Sequence, residues 1–265
     1  MSFTQTRLKR VDKPVHRLGL ALNYGIAPTE LEAAVERGPN YIFWTQSMRK
    51  MVQPLKAVLA KDRDRIVLAT GPTLGFFGGG ITRACERLLK TFGTDYIDVF
   101  HLFWVGKTSA LTDGTYEALL KLRESGKVRA LAVSIHDRPR AGRLAADSPL
   151  DMLMVRYNAA HPGAERDIFP HLKGDKQVVS YTTTAWKKLL SRPSGWTGEL
   201  PPASDCYRFA MSSPHVDVTL CGPASLAQLD ENLAALEKGP LSEDEDAFMR
   251  QFGKAAHSGV MSDAL

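Results

Sequence analysis

The feature that most restricts this chain is a strict alternation of two kinds of segment. Eight short, β-prone apolar runs recur: Leu18–Asn23, Tyr41–Trp44, Arg65–Thr70, Tyr96–Phe103, Val128–Ile135, Asp151–Asn158, Gln177–Thr183 and Val216–Gly222. Most are almost continuously apolar, as strands covered on both faces must be. Between them, apolar residues return at helical spacing, for example over Thr29–Glu36, Ile81–Phe92, Tyr116–Ser125 and Leu226–Leu236. Eight strands alternating with helices predict an α/β fold of the (β/α)8 barrel type, not an open doubly wound sheet. The 265 residues suit one barrel, so residues 1–265 are read as a single domain. One more amphipathic helix, Leu241–Phe252, follows the last strand and carries acids in its first turn.

The punctuation agrees with this reading. Pro28 and Thr29 open the first helix, and Gly38, Gly93, Gly126 and Gly239 stand just past helix ends. Ser225, three residues before Gln228, is placed to cap the eighth helix. The three glycines 78–80 lack the following Lys-Ser or Lys-Thr of a phosphate loop and read as a helix start. Asp95 and Asp98 read as holding the turn into the fourth strand. Residues 190–203, rich in Gly, Pro and Ser, form a loop after the seventh strand, at the end of the barrel where function resides.

Charge and cysteine content narrow the function classes. The net charge of +5 comes from 34 basic residues scattered among 29 acids, without the one-faced clustering a nucleic-acid surface needs. No run approaches the roughly 18 apolar residues of a membrane span. The basic N-terminus lacks the apolar stretch of a signal peptide, so a cytoplasmic location is expected. Cys85, Cys206 and Cys221 are odd in number and widely spaced, which suggests neither a disulfide framework nor a metal site.

Several segments carry a family likeness. Residues 84–100 read ACERLLKTFGTDYIDVF and residues 126–134 read GKVRALAVS. Then come Arg156-Tyr-Asn-Ala-Ala-His161 with Glu165, the run ending at Tyr181, and CGPAS at 221–225 followed by Gln228, Glu231 and Asn232. In order and spacing, over residues 17 to 240, this set resembles the aldo-keto reductases. The resemblance implies a (β/α)8 barrel that reduces carbonyls with a nicotinamide dinucleotide. In that family a Tyr protonates the developing alkoxide, and a Lys, an Asp and a His tune it and orient the carbonyl. A phenol with a pKa near 10 needs such neighbours to act as an acid at neutral pH.

None of the four is present. After the second run the family typically reads Asn-Phe-Phe-Asp-Thr-Ala-Asp-x-Tyr-Gly, whereas residues 40–48 read NYIFWTQSM. Phe43 therefore stands at the Asp position and Met48 at the Tyr position. Gly71 replaces the Lys after the third run, and Phe103 replaces the His before Trp104. The cofactor positions are mixed. Ser134 matches the serine that holds the nicotinamide carboxamide, but Ile135 replaces the Asn beside it. Arg156 takes the place of a Gln with the same task, and it could instead meet an anion or pair with Glu165. Tyr181 matches the aromatic that stacks on nicotinamide, and Gln228 and Asn232 match the adenosine end. No Lys or Arg near Gly222 suits a 2′-phosphate, although Lys187 and Lys188 could compensate. NADP or NAD therefore remains a possible cofactor, with no metal.

Three residues could act as displaced acids, each against a plainer reading. His101 could be a buried core histidine, Tyr24 a surface aromatic, and His136 an exposed loop histidine. His161 and Glu165 read as structural. Trp44, Phe103, Trp104, Trp186 and Trp196, with Met48, suggest an apolar aromatic pocket at the mouth for a small molecule. Three functions stay open: an NAD(P)H-binding oxidoreductase with a non-standard active site, a non-catalytic nucleotide- or ligand-binding pseudoenzyme, and a barrel repurposed for non-redox chemistry.

Overall fold

The computed structural model describes residues 2–73, 76, 78–107, 109 and 111–258. The chain opens with an antiparallel hairpin, β1 (Gln5–Leu8) and β2 (Lys13–His16), in which Gln5 pairs with His16. Eight parallel strands follow: β3 (Leu18–Ala21), β4 (Tyr41–Phe43), β5 (Val67–Thr70), β6 (Ile97–Val105), β7 (Val128–Ile135), β8 (Met152–Arg156), β9 (Gln177–Tyr181) and β10 (Val218–Cys221). Each pairs with the next, and β10 returns to β3 and closes the barrel. The outer layer consists of α1 (Leu31–Glu36), α2 (Val52–Lys61), α3 (Gly78–Phe92), α4 (Asp113–Glu124), α5 (Arg138–Ala146), α6 (Ala164–Asp167), α7 (Ala203–Ser212), α8 (Leu226–Leu236) and α9 (Glu243–Ser258).

The eight barrel strands fall inside or beside the eight apolar runs, mostly shortened by a residue or two at the ends. The exception is β6, which runs on to Val105 instead of ending at Phe103. Its pairing with β7 is irregular between Leu102 and Val105, and Trp104 within that step has a φ of +60°. An extra residue inserted in a strand bends it and re-aims a side chain, so the last turn of β6 departs from a straight ladder.

The hairpin is the element that the apolar runs did not announce, and it plugs the N-terminal end of the barrel. Lys13 reaches from it to Asp98 (2.8 Å), and Arg63 meets the other carboxylate oxygen (2.7 Å). Asp98 is thus a fully buried residue of β6, not part of a turn, and it also accepts from the Leu68 amide. Both hydrogen bonds, from Arg63 and from the Leu68 amide, fall on one carboxylate oxygen, and the other is neutralised by the Lys13 ion pair alone, so the buried charge is balanced by two cations.

Local chemistry explains the helix ends. Ser225 Oγ accepts from Gln228 N, and Ser242 and Glu245 cap one another reciprocally at the start of α9. That helix was expected over Leu241–Phe252, but it runs to Ser258. Gly253, ordinarily a stop signal, is interior here because a Cβ at this position would overlap the carbonyl of Ala159. The glycine lets α9 lie directly on the 159–160 backbone while Phe252 and Met249 bury beside it. Among the described residues, no helix is long and apolar enough to cross a membrane.

Candidate functional site

Parallel strands place their C-terminal ends together, so the residues that end β3 to β10 form one rim. On the β4–β6 side the rim is closed and apolar. Phe43 ends β4, and its ring meets the Phe103 ring edge to face at 5.3 Å. His101, two residues below Phe103 on β6, stacks under it at 5.2 Å with the rings 7° apart. Gly71 follows β5 and lies against β6: a Cβ there would overlap the His101 carbonyl. Next to it, Phe103 N donates to Pro72 O (3.0 Å). Positions 43, 71 and 103 thus converge.

Met48 is held by its own turn. Its sulfur accepts from Thr45 N, and its carbonyl accepts from the Trp44 indole. The Trp44 ring packs against Phe92 of α3 (4.9 Å) and is buried away from any pocket. Trp196 likewise leaves the expected pocket, because its ring sits on Phe252 and Phe248 of α9. The loop over 190–203 therefore serves as a cover for α9, closed by Arg192 on the carbonyls of Trp196 and Gly198.

His101 is fully buried, with Nε2 3.3 Å from the Tyr41 hydroxyl and Nδ1 unpartnered among the described residues. Burial alone pulls its pKa down to about 3, so it is neutral wherever the protein works. Tyr24 is half exposed, and its ring lies over Gly222, where a Cβ would stand 2.6 Å from it. It lies on the segment after β3 and rests on the segment after β10.

The β7–β9 side differs in kind. Cross-strand pairing sets Arg156 beside Tyr181 and Val155 beside Ile135, which puts His136, Arg156 and Tyr181 on one level. The Tyr181 hydroxyl lies 2.9 and 3.0 Å from the two ring nitrogens of His136. Trp104 stacks on His136 at 6.2 Å and meets Tyr181 edge on at 6.5 Å, and it is 47% exposed. Burial and the charge of Arg156 both lower the His136 pKa. Burial raises that of Tyr181, partly offset by Arg156. The Arg156 side chain is half buried and makes no hydrogen bond or ion pair among the described residues. Glu165, its expected partner, is engaged by Tyr157 (2.6 Å) and Arg250 (2.9 Å). Ser134, below His136 on β7, is fully buried, and its hydroxyl is unpartnered among the described residues.

A nicotinamide dinucleotide fits half of this rim. Its nicotinamide end would find the unpartnered Ser134 hydroxyl and the Tyr181 ring. At the adenosine end, Asn232 is buried and donates to Cys221 Sγ (3.6 Å), and Gln228 Oε1 accepts from Ala224 N. Those two side chains serve the fold first. Lys187 has a φ of +70°, and Lys188 lies close enough to His161 to depress its pKa, with burial the larger cause.

Comparison with known proteins places these features. Residues 45–192 match the Aldo/keto reductase family. The aldo-keto reductase YhdN of Bacillus subtilis is 28% identical over 138 residues, covering 49% of this chain and 41% of that protein. The chain spans between 37% and 65% of the length of the curated relatives it matches. The holo form of AKR11C1 from Bacillus halodurans superposes with a TM-score of 0.81 at 22% identity, over 95% of this chain and 97% of that one. A Klebsiella pneumoniae aldo/keto reductase in complex with NADP and acetate gives 0.79 at 23% identity, over 96% of each chain. On the family match over more than half its length, and with the closed eight-stranded barrel, the chain belongs to the aldo/keto reductase family.

Proposed function

We propose that this barrel is a ligand-binding member of its family that does not reduce simple carbonyls. One observation carries the reading: the positions that would hold a proton donor and its partners form the Phe43–Phe103 contact above a sealed Gly71. Hydride addition to a carbonyl builds an alkoxide, and a rim without a donor stabilises that charge poorly. A lysine at position 71 cannot be accommodated without displacing β6 at His101. The loss is thus one of shape as well as of side chains.

The oxidoreductase alternative has one observation in its favour, the Tyr181–His136 pair. A phenol beside an imidazole could act as an acid if its pKa were lowered. Burial instead raises it, the wrong direction for proton donation at neutral pH. Relatives bind NADP, so NADPH and NADH are the first ligands to test on this chain. Tryptophan fluorescence titration with each, beside steady-state reduction of an aldehyde panel, tests the reading. The expected result is saturable binding of a small molecule with negligible turnover. Turnover within about tenfold of an authentic family member, a barrier difference of only about 1.4 kcal/mol, overturns it.

A further inference from the structure

The β7–β9 side of the mouth holds a charge without a counter-charge beneath a strained aromatic ring. Trp104 has a φ of +60°, a conformation that costs a non-glycine residue roughly 1–2 kcal/mol, yet it carries a half-exposed indole there. The ring is braced by His136 and Tyr181 and by Phe103 at 6.0 Å. Strain of this kind persists where the surroundings enforce it, and it clusters at ligand sites. At the level of His136 stands Arg156, and three acids of the adjoining segments are engaged elsewhere. Asp137 caps α5 through Arg140 N, Asp167 is taken by Arg138 and Arg166, and Glu165 by Tyr157 and Arg250. The charge of Arg156 lowers the pKa of His136, His161 and Tyr181, which places it within electrostatic reach of all three.

We propose that this side of the mouth binds a flat carboxylic acid, its carboxylate on Arg156 and its ring against Trp104. The inference rests on the reading that the mouth binds a ligand without reducing it, and it names the class of that ligand. A guanidinium offers a planar fork that matches a carboxylate in two parallel hydrogen bonds. The Tyr181–His136 pair borders the same level and can share the second oxygen. Burial and Arg156 lower the His136 pKa, so Arg156 is the fixed positive charge of the group, and one carboxylate matches it. The exposed indole face supplies an apolar wall for a ring. Arg156, His136 and Tyr181 stand on β7 to β9, so an acid held by them uses side chains other than those at positions 43, 48, 71 and 103.

The test is isothermal titration calorimetry of the full chain with 2-naphthoate, with neutral 2-naphthamide, and with sulfate as a competitor. The acid is expected to bind at least about tenfold more tightly than the amide. Arg156→Gln should weaken the acid about 10- to 100-fold and leave the amide unchanged, the range for a charge-assisted pair. Trp104→Gly, which accepts the same backbone conformation, should weaken both. If Arg156→Gln does not fold, Arg156→Lys keeps the charge without the fork and should still cost the acid about fivefold to tenfold. Equal affinity for acid and amide, an unchanged Arg156 variant, or equal displacement by sulfate overturns the proposal. NADPH binding without acid binding defeats this inference and leaves the proposed function standing. Aldehyde turnover defeats the proposed function whatever the acid does.

Discussion

The two sides of the barrel mouth have the same strand architecture and opposite chemistry. On the β4–β6 side, Phe43, Phe103 and His101 pack ring against ring and Gly71 seals the backbone beneath them. On the β7–β9 side, His136, Arg156 and Tyr181 bring polar groups to the strand ends above the buried Ser134, and neither the Ser134 hydroxyl nor the Arg156 side chain has a protein partner among the described residues. A fold under selection for stability alone has no reason to keep an unpartnered guanidinium on one side while making the other a dry aromatic layer. On the proposed reading, the contrast separates fold from activity within one rim: the family's barrel is retained, the positions of its reaction belong to a packed aromatic layer, and polar groups gather on the other side.

The largest expected effect breaks the comparison outright. If the reaction side is core, NADPH-dependent reduction of simple aldehydes should lie at least about 10²-fold below that of an authentic family member, the cost of losing a positioned acid. Restoring the four side chains together, as Phe43→Asp, Met48→Tyr, Gly71→Lys and Phe103→His, should not recover it, because the lysine has no room. Recovery of turnover by that quadruple variant would show that the site is only mutated, not closed.

The closure itself is measurable in a single residue. Gly71→Ala places a methyl into the His101 carbonyl, and either β5 or β6 must move. Overpacking of this sort costs about 2–3 kcal/mol, or roughly 5–10 °C in the melting temperature of a chain this long. A melt within about 1 °C of the parent would mean the two strands are not in contact as described. No equivalent penalty is expected for Arg156→Gln on the other side, where the side chain has no partner to lose.

A third prediction follows from the burial of His101. Its pKa is held at about 3 against an ordinary 6.5, by burial. Above pH 6.5 the ring is neutral folded or unfolded, and it contributes no slope. Below that, the unfolded chain takes up a proton that the folded chain refuses, so stability falls as pH falls from 6.5 towards about 3. The slope approaches about 1.4 kcal/mol per pH unit, for a total on the order of 4–5 kcal/mol. Urea unfolding between pH 6 and pH 4 should therefore be shallower in pH by about one proton for His101→Gln. His136→Gln, on the exposed side, should change that slope much less. Equal changes would erase the distinction between a core ring and a rim ring.

How much of this was legible in the sequence depends on what each residue answers to. The eight runs and the capping residues report local periodicity, and the barrel followed from them. The reading of replacements at 43, 48, 71 and 103 rests on the register of the flanking segments. The consequence of Gly71 was not, since a glycine's meaning lies in what stands opposite, here the His101 carbonyl 30 residues away in sequence. The hairpin at Gln5–His16 is not legible from continuous apolar runs, because its strands are short and half polar. Trp44 and Trp196 were placed in a pocket by their nearness to strand ends, yet tertiary packing turned them onto Phe92 and Phe252. The lone state of Arg156 was equally hidden, for it depended on Glu165 being claimed by Arg250 from α9.

The smallest expected effect sharpens the comparison most. Each side buries a hydroxyl that finds no partner among the described residues, Thr70 Oγ1 at the end of β5 and Ser134 Oγ on β7. A buried unsatisfied hydroxyl costs free energy, so replacing it with an apolar group of similar shape removes the cost without leaving a cavity. Thr70→Val and Ser134→Ala should each raise stability by about 1 kcal/mol, or roughly 2–4 °C in the melt. In stability the two sides then behave alike. They should part when 2-naphthoate is titrated. Thr70 lies under the closed aromatic layer, and its valine variant should bind the acid as the parent does. Ser134 lies below His136 on the open side, and loss of one hydrogen bond there should weaken binding about 2- to 10-fold. If the alanine variant binds as tightly as the parent, Ser134 belongs to the core and the binding side begins at His136. If both variants lose affinity together, the two sides are coupled through the barrel interior, and the division between a closed reaction side and an open binding side does not hold.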